Sequence, residues 1–165
     1  MNNNDILRRI RFTFDYGDDK MIQIFDLAGV TVTRAEVCDW LKREDDEAQV
    51  SLHDKKLAAF LNGFIVEHRG PKKDAVMVHE KTLTNNIILR KLKIALNLKD
   101  DDILGLLMMA DFTISKHELS AFFRKPEQRQ YRLCRDQVLR NFLMGMQLKY
   151  RKNHPKPTLS DKKNT

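Results

Sequence analysis

The sequence predicts an all-α fold: two tandem four-helix repeats packed as one pseudo-two-fold, eight-helix body. Three observations predict it. Shifted against itself by 82 positions, the chain aligns residues 3–69 with 85–151 without a gap, and 16 of those 67 positions are identical. Within each copy the apolar residues recur at helical spacing, and no useful run alternates with the period of two that a half-buried strand needs. A composition of 42% hydrophobic and 32% charged residues is that of a soluble globular chain with a core to bury.

Each copy reads as four helices. Asn3 or Asn4 is placed to cap the first, whose Ile6, Leu7, Ile10 and Phe14 share one face. Asp18 and Asp19 are expected to cap the second, which runs through Met21, Ile22, Ile24 and Phe25 to Ala28-Gly29. Thr33-x-x-Glu36 has the spacing of a capping box for the third helix, burying Val37, Trp40 and Leu41, and Ser115-x-x-Glu118 repeats it. Leu57, Phe60, Leu61, Phe64 and Ile65 form the i, i+3, i+4, i+7, i+8 stripe of the fourth. Gly63 and Gly145 fall inside that helix, where glycine costs about 1 kcal/mol against alanine. Its presence in both copies predicts a close helix crossing.

Four short helices make a marginal core alone, so the halves are expected to complete one another. The division predicted is residues 1–70 for the first repeat, 71–83 for a linker opened by Gly70-Pro71, 84–151 for the second repeat and 152–165 for a basic disordered tail. Charge is uneven. Residues 1–82 carry 13 basic and 15 acidic groups, and residues 83–165 carry 17 and 8. Much of that second excess lies at the C-terminal end, so the net charge of +7 points only weakly to nucleic acid. The apolar runs are too short to span a bilayer, and the start lacks the pattern of a secretory signal. Cys38 and Cys134 have no cysteine at their repeat mates and are expected to be buried free thiols of a cytoplasmic protein.

The phrases N-N-D-I-L-R-R-I-R, C-D-W-L-K-R-E-D, F-L-N-G-F-I and N-N-I-I-L-R-K-L-K-I-A-L, in this order and spacing, resemble the bacterial YehS-type family. That family is a tandem pair of one domain of unknown function. The resemblance covers about residues 2–151. It implies the duplication, a helical fold and a bacterial cytoplasmic setting, and it carries over no catalytic or binding residue.

The residues themselves show no phosphate-cradling glycine loop, no C-x-x-C and no H-E-x-x-H. None of the five histidines has a histidine mate in the other copy. The carboxylate clusters at Asp18-Asp19 and Asp100-Asp101-Asp102 begin helices, where the dipole favours them. No enzyme, cofactor or metal is expected.

Charges repeated in both copies are mostly explained by helix ends. Subtracting those leaves Arg8/Arg90, Arg9/Lys91, Arg11/Lys93 and Arg34/Lys116 as candidate contacts for nucleic acid or another anion. The second and third helices loosely resemble a helix-turn-helix, with Arg34 where that motif meets DNA. Phe12 and its mate Ile94 fall on the outward side of the first helix and are candidate interface residues. Two readings stand. The leading one is a non-enzymatic module for protein interaction or homo-oligomerisation; the alternative is nucleic-acid binding through the paired helix-turn-helix-like repeats. No membrane association is expected.

Overall fold

The computed structural model describes residues 1–73 and 77–151; the expected tail at 152–165 lies outside the described residues. Among these, the regular structure is eight helices with no strand: α1 (Asn3–Phe14), α2 (Asp18–Leu27), α3 (Arg34–Leu41), α4 (Asp54–Arg69), α5 (Asn85–Ala95), α6 (Asp100–Met109), α7 (Lys116–Phe122) and α8 (Asp136–Tyr150). The two sets of four begin at equivalent positions of the repeat.

Local chemistry accounts for the helix starts, with two corrections to the expected caps. Asn2, not Asn3 or Asn4, caps α1 in a box with Asp5. Gly17 caps α2, and Asp18 and Asp19 lie in its first turn, where they oppose the dipole without capping. The Thr33/Glu36 box forms in full at α3, whereas at α7 Ser115 accepts the Glu118 N–H at 3.0 Å as half of one. The turn after α2 and its mate after α6 both take the left-handed conformation, at Gly29 (φ 76°) and at Asp111 (φ 59°). Substituting aspartate for glycine there changes the residue and keeps the backbone.

Asn3 and Asn4 are clamps. The Asn4 amide donates to the Trp40 and Val50 carbonyls at 2.9 and 2.8 Å, and its oxygen accepts the Leu52 N–H at 3.0 Å. Asn86 makes the same three bonds with Phe122, Arg132 and Cys134, at 3.0, 2.8 and 2.9 Å. Asn3 bonds the Leu52 carbonyl and Asp54, and Asn85 bonds the Cys134 carbonyl and Asp136. The doubled Asn-Asn thus fastens the irregular segment ahead of α4, and ahead of α8, to the helix that opens its repeat. Satisfying those backbone groups matters because an unpaired buried polar group costs about 1–3 kcal/mol.

The close crossings expected at Gly63 and Gly145 are present. A β-carbon on Gly63 would collide with the backbone carbonyl of Ile24 in α2, and one on Gly145 with that of Leu106 in α6. Packing then joins the repeats by exchange: α1 lies along α8, and α4 along α5. All four run in the same sense. Phe14 meets Tyr150 and Phe64 near their C-terminal ends, with ring centroids 5.6 and 5.2 Å apart. At the N-terminal ends the Met1 amine donates to Asp136 at 3.1 Å, and the Leu83 N–H, at the equivalent position, donates to Asp54 at 2.9 Å. The Asn85 amide and the Met1 amine hold the Asp136 carboxyl below its usual range.

One buried cluster runs through both repeats, from Ile6, Phe25, Trp40, Phe60 and Phe64 to Leu89, Leu107, Leu139 and Phe142. Both cysteines are free, but only Cys134 is buried; Cys38 is exposed on the solvent side of α3, correcting the expectation of two buried thiols. Burial pushes the Cys134 thiol up to about 12. No helix among the described residues is long and apolar enough to cross a membrane.

Candidate functional site

The structure places three of the four repeated pairs of candidate cations in matching settings; Arg11 and Lys93 differ. Arg8 donates to the Lys42 carbonyl at 2.8 Å and pairs with Asp5. Arg90 donates to the Phe123 carbonyl at 3.0 Å. Each guanidinium therefore meets the C-terminal end of the third helix of its own repeat, where the dipole favours a cation. Arg34 pairs with Asp18 and Asp19, and Lys116 with Asp101 at 3.4 Å. These contacts offset the cost of a cation in the first turn of a helix. Arg34 and Lys116 remain exposed, each beside exposed carboxylate that would repel a phosphate.

Arg9 and Lys91 cross the boundary between repeats. Arg9 reaches from α1 to Gln147 of α8 at 2.8 Å, with the Met144 sulfur at 3.8 Å. Lys91 reaches from α5 to Asn62 of α4 at 2.6 Å and pairs with Glu80 at 2.7 Å. Desolvation lowers the Arg9 pKa from its ordinary value, offset in part by Asp5. Lys93 pairs with Asp100 at 2.8 Å and stands 4.3 Å from the Phe123 ring centroid. Its mate Arg11 is half-buried, and its Nε has no hydrogen-bond partner among the described residues.

The expected interface pair is on the surface, Phe12 39% and Ile94 46% exposed. The Arg151 guanidinium stacks 3.5 Å from the centre of the Phe12 ring. Ile94 borders a smaller depression with Arg69, Arg90 and Phe123. Arg69 is the mate of Arg151.

What the repeat does not share is a groove of about 670 Å³ between α1 and α8, bordered by Arg8, Arg9 and Phe12 on one side and Arg140, Met144 and Gln147 on the other. Met1, Asp5 and Glu44 complete its rim. The α8 residues were not among the expected contacts. Their signal lay in the mismatch of the copies, since Arg140, Met144 and Gln147 stand opposite Ala58, Asn62 and Ile65. Looking only for repeated charge passes over them.

On α4 the corresponding surface is occupied by the chain's own linker. Asn62 donates to His79 Nδ1 at 2.9 Å, and His79 Nε2 donates to the Ala28 carbonyl at 2.9 Å. Glu80 pairs with Lys91, and Met77 and Val78 border a groove with Leu27, Ile65 and Val66. Among the described residues no three His, Cys, Asp or Glu side chains are grouped to hold a metal ion.

A family model described as a protein of unknown function (DUF1456) matches residues 3–70 and again 85–152. The chain is 40% identical over 147 residues to the uncharacterized protein YehS of Escherichia coli (strain K12), a match covering 88% of this chain and 94% of that protein. No solved structure matches it significantly. Two family matches, coincident with the two sets of four helices, show that the chain belongs to the DUF1456 family and carries its domain twice.

Proposed function

We propose that this chain is a non-enzymatic helical module for protein interaction, working in the bacterial cytoplasm. The observation that carries this reading is the α1/α8 groove, where Phe12 and Met144 supply apolar contact and Arg9 and Arg140 supply charge. Mixed surfaces of this kind, with aromatic, methionine and arginine side chains, are enriched at protein interfaces. The cations nominated for nucleic acid support the same reading. Arg8, Arg34, Arg90, Lys91, Lys93 and Lys116 are engaged by carboxylates or helix-end carbonyls of the fold itself.

The test is capture from a nuclease-treated bacterial lysate on immobilised protein, with light scattering of the purified chain alongside. The expected result is a retained protein, or a defined homo-oligomer, that is lost in Phe12→Asp/Met144→Asp and kept in Arg34→Glu/Lys116→Glu. Retention that disappears with nuclease treatment, or a monomer that captures nothing, overturns the reading.

A further inference from the structure

We propose that the α1/α8 groove takes an extended, carboxylate-bearing segment of a partner protein, laid on α8 as the chain's own linker is laid on α4. This rests on the protein-interaction reading above and specifies its ligand.

The fold contains the precedent. On α4 the segment at residues 77–80 runs over the helix, with apolar Met77 and Val78 near Ile65 and Val66, His79 held by Asn62, and Glu80 paired with Lys91 from the neighbouring α5. The pseudo-two-fold carries α4 onto α8 and α5 onto α1, and so carries Lys91 onto Arg9. Arg9 keeps the cross-repeat hydrogen bond, to Gln147, yet among the described residues it has no carboxylate partner within ion-pair distance. Among the described residues, none pairs with Arg9 as Glu80 pairs with Lys91. The groove beside it has a volume of about 670 Å³.

The replacements on α8 state the chemistry of the occupant. Arg140 stands where α4 has Ala58, adding a second cation to the groove, and Met144 replaces the Asn62 amide that holds His79. A matching segment therefore offers an apolar side chain at the position of His79 and carboxylates for Arg9 and Arg140. Arg8, Arg9 and Arg140 outnumber the rim carboxylates Asp5 and Glu44, and Asp5 is already paired with Arg8. Charge also decides between occupants. The chain's own residues 152–165 include four lysines and a single acid, Asp161, the wrong sign for an arginine-lined groove.

Fluorescence anisotropy with two labelled peptides, AVMVLEE and its charge-reversed counterpart AVMVLKK, tests the proposal on the full chain. The first retains the apolar run that precedes His79 and adds carboxylates. It is expected to bind, more weakly as salt rises, and about tenfold more weakly to Arg140→Glu. Arg140 is exposed, so that variant keeps the fold; Lys116→Glu, on α7, which lends no residue to the groove, is expected to bind as the unaltered chain does. Equal binding of the two peptides, no binding of AVMVLEE at millimolar concentration, or indifference to Arg140→Glu overturns the proposal. So does a homodimer that Arg140→Glu dissociates, which would give the groove to a second copy. Failure of the peptide with lysate capture intact removes the groove assignment alone; failure of both removes the wider reading.

Discussion

Asn4 and Asn86 are 3% and 4% exposed, and each spends its amide on one carbonyl at the end of the third helix and two backbone groups of the segment leading to the fourth. Replacing Asn4 by alanine strands two carbonyls and an N–H at once. With about 1–3 kcal/mol for each group left unpaired, and some recovered by water, Asn4→Ala is expected to lower stability by about 3 kcal/mol in urea denaturation. A loss under about 1 kcal/mol would show that the clamp is dispensable. Three asparagines in succession made this role hard to read, since each is a good N-cap. The doubled Asn-Asn was visible as a repeat; that it binds backbone groups 36 to 48 residues away needed the tertiary structure. The exposed Cys38 was missed for a similar reason, because composition gives no hint that α3 turns it to solvent.

At the scale of the helices, periodicity and punctuation were enough. The apolar stripes gave every helix its face, and Gly63 and Gly145 gave the crossings of α4 on α2 and α8 on α6. Alanine at either glycine gains about 1 kcal/mol of helix propensity but drives a β-carbon into a backbone carbonyl of a packed helix. Gly63→Ala and Gly145→Ala are each expected to destabilise by about 2 kcal/mol net. A neutral or stabilising alanine in thermal unfolding would mean that the crossing relaxes freely. The linker was less legible. Residues 71–83 read as a spacer because glycine, proline and lysine open them, whereas the side chains of His79 and Glu80 tie the later part to α2, α4 and α5. Those bonds join residues from three helices, and no spacing within the linker encodes them.

The whole molecule explains why a repeat of charge was an ambiguous signal. Each half lends its first helix to the last helix of the other, so a residue repeated in sequence is used twice by the same fold. Arg8, Arg34 and Arg90 were legible as exceptions to dipole logic, but their explanation lies in ion pairs and helix ends formed by other elements. The candidate groove arises where the copies differ, on α8, and comparison for similarity alone was blind to it. The central claim is that the halves form one cooperative body. Trp40, the single tryptophan, lies buried in the first repeat, and Cys134, a residue 4% exposed, lies in the second. Urea unfolding followed by Trp40 fluorescence and by pulsed alkylation of Cys134, in a Cys38→Ser background, tests that claim most directly. Coincident transitions are predicted; alkylation of Cys134 at a urea concentration where Trp40 still reports the native state would contradict it.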